Sequence, residues 1–309
     1  MMCDIGHIPV LLNEVLDSLR PQDGDAIVDL TAGRGGHATA LAKQCKPSSI
    51  TLFDLDAKNL AFASNRVEQE CGIKPVCIHA NFATAAQTLQ QQSHKADVVL
   101  ADLGFASNQM DSPERGLSFL KEGPLDMRLN PESGMTAADI INEFSEQELA
   151  DLIYTQGEDP FSRQIARKIV LERAKEPILS TTRLASVVRE AYGSKARASR
   201  INPATRTFMA LRIVVNDELM ALDALLHDFE ASCRKGAEGW LQPDARVGVI
   251  SFHSLEDRKV KQTFTALEKA GLVERLNRKP IQATDEEVAT NPRARPAKYR
   301  AMRVLHKSS

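Results

Sequence analysis

Hydrophobic and polar positions divide the chain into stretches of two periods. Val10, Leu11, Val15, Leu16 and Leu19 recur at helical spacing, which predicts a helix over 7–20 that Pro21 stops. Compact apolar runs then predict strands at 26–30, 50–53, 76–79 and 97–104. Helical patterns fall between them, at about 39–44, 57–70 and 83–92. Strand and helix alternate throughout, so the pattern predicts an α/β protein with a parallel, doubly wound sheet.

The alternation stops at Phe105. No buried-strand pattern returns before about Ile201; turn pairs such as Arg115-Gly116 and Gly123-Pro124 are followed by helical stretches. Thr136 and Thr182 are candidate caps, Pro160 a candidate helix opener, and Ser145-Glu146-Gln147-Glu148 a capping box. One long helix is expected after Pro203, carrying Phe208, Leu211, Ile213, Val214, Val215, Leu219, Leu222 and Leu226. The sheet pattern resumes at 247–252. Ser254 is the expected cap of a helix over 255–270, and strands near 273–276 and 297–304 are expected to close the sheet as an antiparallel hairpin. The expected domains are 1–105 with 206–309, interrupted by a helical insertion over 106–205.

Charge adds a feature that the pattern does not show. The net charge of −2 argues against a protein that binds nucleic acid all over its surface. Yet 161–212 holds twelve Lys or Arg against three Glu, a local +9 that leaves −11 for the rest. That asymmetry points to one region that meets a polyanion, although a solvated helical face gives the same count. The five cysteines are scattered without a CxxC spacing, which fits a reducing cytoplasm and indicates no metal site. No apolar stretch nears the ~18 residues of a spanning helix, so no membrane partner is expected.

The candidate chemistry starts where the first strand enters Gly33-Arg34-Gly35-Gly36-His37. A glycine turn between strand and helix lets backbone N–H groups approach a ligand closely. Asp54, at the end of the second strand, supplies the carboxylate that a ribose diol requires. Nicotinamide dinucleotides and S-adenosylmethionine both carry such a diol. Asp102-Leu103-Gly104 decides between them: a further carboxylate at the strand end suits a cationic, amino-acid-bearing cofactor and does not suit a pyrophosphate. S-adenosylmethionine is therefore the favoured cofactor.

Longer blocks carry a resemblance. They are His7 to Glu14, Thr31 to His37, Asp102-Leu103-Gly104, Gln109-Met110-Asp111, Glu114 to Phe119, Gly123 to Arg128, Pro203 to Phe208, Ile250 to Arg258 and Asn291 to Arg295. In this order, over nearly the whole chain, they resemble the bacterial small-subunit ribosomal RNA cytosine-N4 methyltransferases, the RsmH or MraW family. The resemblance implies a Rossmann-like class I methyltransferase sheet with an inserted helical domain. It implies S-adenosylmethionine contacts at Gly35, Gly36, His37, Asp54, Phe82, Asp102 and Gln109. It also implies methylation of a cytosine in the decoding region of 16S rRNA, met in the small subunit or a late assembly particle. The chain departs from the family at Ala106, Asp159, Met209 and Pro296.

Methyl transfer to an exocyclic amine needs in-line positioning and an acceptor for the amine's hydrogen bonds. Asp102, Ser107 and Asn108 are the candidates; gripping the cofactor's ammonium is an equal role for Asp102. His253 reads as a structural residue. Arg115, Arg128, Arg163, Arg167, Lys195, Arg197, Arg200 and Arg206 are candidate RNA contacts, joined by Lys168 and Arg212. The loop over 105–135 is expected to form the pocket for an unstacked base. A catalytically impaired RNA-binding assembly factor and a nicotinamide oxidoreductase are the alternatives, and a homodimer stays open.

Overall fold

The computed structural model describes residues 8–105, 109–110, 112–132, 134–198 and 201–305. The chain divides into two compact units, 1–104 with 219–309, and 105–218.

The first unit holds α1 (Leu12–Leu19), β1 (Ala26–Asp29), α2 (Gly36–Lys43), β2 (Ser49–Asp54), α3 (Ala57–Cys71), β3 (Val76–His79), α4 (Ala85–Gln91) and β4 (Ala96–Asp102). Its seven strands lie in the order β3-β2-β1-β4-β5-β7-β6, with β5 at Leu241–Ser251, β6 at Val273–Arg275 and β7 at Lys298–Val304. β1 to β5 are parallel, and β7 runs antiparallel to both β5 and β6. This is the mostly parallel sheet with an antiparallel final hairpin that the sequence predicts. Order reverses at β1, whose neighbours are β2 and β4, and ligands bind outside the carboxyl ends of strands at such a switch point.

Side chains alternate across the sheet with the period of two that a strand imposes. Ile27, Ile50, Leu52, Val98, Leu100 and Ile250 face a layer made by α1, α2 and α3. Val28, Phe53, Val99, Ala101, Val247 and Val249 face the opposite layer of α4, α10 (Glu218–Lys235) and α11 (Ser254–Lys269). A short helix, α12 (Asp285–Thr290), precedes β7. Among the described residues no helix is long and apolar enough to cross a membrane.

The second unit has its own core. It contains α5 (Ala137–Glu143), α6 (Glu146–Gly157), α7 (Ser162–Arg173), α8 (Thr181–Tyr192) and α9 (Ala204–Val215). Ile140, Ile153, Ile165, Ile169, Leu184, Val188, Phe208 and Leu211 are buried together. The expected capping box forms at Ser145 with Glu148, and Thr136 caps α5 as expected, in a further box with Asp139 that the sequence reading did not include.

Several local expectations are corrected. The helix over 7–20 is shorter, because Leu11 takes a left-handed backbone (φ 54°) and α1 starts at Leu12. α2 begins at Gly36, earlier than the apolar pattern shows, because glycines carry no hydrophobic signal. Ser180 rather than Thr182 caps α8, and His253 rather than Ser254 caps α11. The single helix after Pro203 is two helices. Asp217 is left-handed (φ 50°), and Asn216 donates to the carbonyls of Arg212 and Met127 while accepting the Leu129 N–H. Phe208 and Leu211 therefore serve the helical unit, whose last residue is 218 where 205 was expected.

Candidate functional site

Three neighbouring strands of the first unit each end in an aspartate: Asp54 on β2, Asp29 on β1 and Asp102 on β4. Each lies an even number of residues from a side chain buried against α1–α3, which places all three on that face of the sheet. The turn after β1 is stitched to both neighbours. Gly33 N–H donates to Asp54 Oδ2 at 2.7 Å, and Ala32 N–H to the Phe53 carbonyl at 2.8 Å. On the other side, Asp102 N–H donates to Thr31 Oγ1 at 2.6 Å, and Leu30 N–H to the Leu100 carbonyl at 2.8 Å. Thr31 N–H also donates to Asp29 Oδ1 at 3.1 Å.

The two glycines at the start of α2 are required by space. Gly35 has φ 73°, and a Cβ there would stand 3.0 Å from the Ala63 Cα of α3. A Cβ on Gly36 would stand 2.6 Å from Pro9 Cγ. Pro9 is held in turn by a pinned segment: Leu11 N–H donates to Glu287 Oε1 at 2.7 Å, and Asn291 Nδ2 donates to the Ile8 carbonyl at 3.1 Å. The Glu287 bond to the Leu11 amide beside Pro9, and the Thr31 hydroxyl, were not found by sequence reasoning. The Pro9-Val10-Leu11-Leu12 block and the Thr31 to His37 block were their sequence signals.

His37 is buried, with Nε2 at 3.5 Å from Asp102 Oδ2. Both its ring nitrogens and Asp102 Oδ1 are buried and have no hydrogen-bond partner among the described residues, and such groups are costly unless something meets them. Burial pushes the Asp29 carboxyl up to about 6, opposed by His37 and the Thr31 amide. Burial likewise pushes Asp54 up to about 6, opposed by the amides of Asp56 and Gly33. Each Asp54 oxygen accepts one amide, from Gly33 and from Asp56, and a carboxylate oxygen can accept a second donor. Phe82, half-buried, follows β3 in a short 3₁₀ turn capped by Asn81. The unit thus brings Gly35, Gly36, His37, Asp54 and Asp102 to one sheet edge, with Phe82 just after the third strand.

This donor and acceptor set fits S-adenosylmethionine. Asp54 retains acceptor capacity for a ribose diol. The orphaned Asp102 oxygen offers a buried carboxylate to an ammonium. Gln109 lies in the helical unit, buried. Ser107, Asn108 and Arg200, together with Ala106, lie outside the described residues.

In the helical unit, the candidate RNA cations fall into two groups. Arg163 and Arg167 on α7 are exposed, as is Lys195, whose ammonium sits 4.7 Å from the Phe161 ring centre. Arg197 falls in the 3₁₀ segment Gly193–Ala198. Others are engaged within the unit. Arg128 forms a two-pronged pair with Asp126, at 2.8 Å on each prong, and Arg212 pairs with Glu218 at 2.7 and 2.8 Å. Arg115 donates to the Leu129 carbonyl, Arg206 to the Glu158 carbonyl, and Lys168 pairs with Glu172 and Glu190.

Comparison with known proteins adds the following. A family model described as the MraW methylase family matches residues 4–305. A protein of Synechococcus sp. (strain CC9605), named ribosomal RNA small subunit methyltransferase H, is 43% identical over 98% of this chain and 99% of its own. Proteins of the same name from Trichodesmium erythraeum and Acidobacterium capsulatum are each 43% identical. They cover 97% and 96% of this chain, and 100% and 97% of their own.

Proposed function

The chain belongs to the MraW methylase family and is a methyltransferase that uses S-adenosylmethionine, and from this premise we propose that it methylates the N4 amine of a cytidine in the decoding (P-site) region of 16S rRNA. It would act in the cytoplasm, on the small subunit or a late assembly particle. One observation carries the cofactor half of this reading: three adjacent strands end in aspartates on one face, with an oxygen of Asp102 buried and unpartnered among the described residues. The relatives' names support the RNA half.

When bound, the cofactor supplies an electrophilic methyl group on a sulfonium. The protein's own residues hold and orient it. Asp54 accepts the ribose hydroxyls while its Gly33 bond fixes the turn. Asp102, with His37 beside it, holds the ammonium end. Phe82, half-buried just after β3, would meet the adenine. Gly35 and Gly36 keep the start of α2 open for close backbone approach. A dinucleotide is disfavoured by the same groups, since a pyrophosphate would meet three carboxylates.

Cytosine's exocyclic amine is a poor nucleophile, because its lone pair is delocalised into the ring. Rate then depends on holding the amine in line and accepting its hydrogen bonds. Ser107 and Asn108, directly after the β4 edge in sequence, are assigned that positioning. Arg163, Arg167, Lys195, Arg197 and Arg200 are assigned to phosphates, while Arg115 and Arg128 brace the loop over 115–129 and Arg206 holds the Glu158 carbonyl after α6.

The test is methyl transfer to small subunits purified from cells that lack the modification, followed by nucleoside mass spectrometry. New N4-methylcytidine is expected. Methylation at carbon 5 or on a purine would overturn the assignment of the amine, and binding without any transfer would leave an assembly factor.

A further inference from the structure

Cations also gather at the sheet edge of the first unit. Asp102 pairs with Ile250 across β4 and β5, and Ile250 pairs with Tyr299 across β5 and β7. The three form one row, at roughly 5 Å per strand, so the start of β7 stands about 10 Å from Asp102 along the edge. Lys298 opens β7 opposite Ser251, the last residue of β5. Arg293 and Arg295, both exposed, occupy and follow the 3₁₀ turn Pro292–Ala294 just before it. Arg258 is exposed in the first two turns of α11, whose amino end, positive by its dipole, follows β5 at the same edge.

Asp257 alone does not neutralise both Arg300 and Lys298. Buried Arg300 takes Asp257 Oδ1 at 2.7 Å, and Lys298 lies at 3.6 Å from Oδ2, so one carboxylate serves two cations. The acids of α12 are Asp285, Glu286 and Glu287, and Glu287 is committed to the Leu11 amide. The turn itself is pre-set. Ala294 is buried, its N–H donates to the Asn291 carbonyl at 3.0 Å, and its carbonyl accepts Ala297 N–H at 3.0 Å. The Asn291 side chain is tied to Ile8. Side chains on a pre-ordered turn lose less freedom when they bind.

We propose that Arg258, Arg293, Arg295 and Lys298 form a phosphate-contacting surface for the RNA substrate on the sheet-bearing unit, in addition to the cations of the helical unit. This rests on the RNA reading above. Its partner is the sugar–phosphate backbone beside the target base, gripped without sequence information, while the base itself is read elsewhere.

The test measures binding of the full-length protein to unmodified small subunits as a function of salt. Arg295→Ala with Lys298→Ala should reduce the slope of log affinity against log salt by roughly 1.5, from about 0.7–0.9 per phosphate contact. Arg295→Glu with Lys298→Glu should weaken binding at least tenfold. S-adenosylmethionine affinity should match wild type, and the alanine pair, which leaves the Arg300–Asp257 ion pair in place, should keep the wild-type melting temperature. Arg163→Ala with Arg167→Ala, in the same assay, reports the helical unit separately. If that pair lowers the slope and the Arg295/Lys298 pair does not, this surface is overturned while the RNA reading stands. Wild-type binding that ignores salt would remove both.

Discussion

The Asp54 carboxylate accepts the Gly33 N–H at 2.7 Å, tying the end of β2 to the turn that follows β1. One side chain thus shapes the glycine turn and, in the function proposed above, receives the ribose. Burial pushes this carboxyl up to about 6 from 3.8, against the pull of the Asp56 and Gly33 amides. Only the ionised form can accept from both the turn and a diol. Affinity for S-adenosylmethionine should therefore be flat above pH 7 and fall by up to about tenfold per pH unit below 6. The fold responds with the opposite sign. A carboxyl raised above its unfolded value contributes stability that is fully present below about pH 4 and is lost as pH rises through 6. Calorimetric titration at pH 7.5 and 5.0 checks this, and equal affinities would remove Asp54 from the site.

Asp102 should separate binding from turnover. Its N–H bond to Thr31 is a backbone interaction and survives substitution. Asp102→Asn removes the charge that would meet the ammonium and should weaken S-adenosylmethionine and S-adenosylhomocysteine alike, by tenfold or more, about 1.4 kcal/mol. Asp102→Ala should abolish methyl transfer. Unchanged affinity for both molecules with lost turnover would move Asp102 from the cofactor to the target amine.

The Gly36–Pro9 contact predicts a coupled pair. A Cβ at Gly36 stands 2.6 Å from a proline ring whose segment is pinned by Glu287. Gly36→Ala should cost about 1–3 kcal/mol in stability and weaken cofactor binding. Glu287→Ala frees the segment and should weaken binding more mildly, while Glu287→Gln, which keeps an acceptor, should restore it. The double variant Gly36→Ala/Glu287→Ala should be less damaged than the sum of the two, because Pro9 can then give way. Strict additivity in a thermal-unfolding and binding cycle would contradict the contact.

Asn216 anchors the helical unit through three hydrogen bonds, to Met127, Arg212 and Leu129. Asn216→Ala leaves the Leu129 amide and two carbonyls without that partner, at a cost of about 1–3 kcal/mol. Hydrogen exchange at Leu129 should accelerate strongly, with little change in the strands of the sheet. Unaltered protection at Leu129 would show that the loop is held by other means.

The sequence carried the sheet well because buried strands announce themselves. Val98 to Ala101 can be little else, and the Asp54 and Asp102 positions follow from where such runs stop. Asn216 shows where legibility ended. An apolar stripe runs through it unbroken from Phe208 to Leu226, and the helix breaks where its side chain bonds a loop 89 residues earlier. Periodicity cannot contain such a contact. The same holds for Glu287, which reaches Leu11 across 276 residues, and for His253, whose ring caps a helix where a serine was the better local candidate. Charge counting was legible as a total and not as a surface. The +9 stretch includes Lys168 and Arg212, which are held in ion pairs, while Arg295 and Lys298 lie outside it.

The most direct measurement is methyl transfer with labelled S-adenosylmethionine to unmodified small subunits, mapped by mass spectrometry of nuclease fragments. The account predicts one labelled cytidine in the decoding region of 16S rRNA, carrying the methyl on N4. Label on another nucleotide, or none with active cofactor binding, would contradict it.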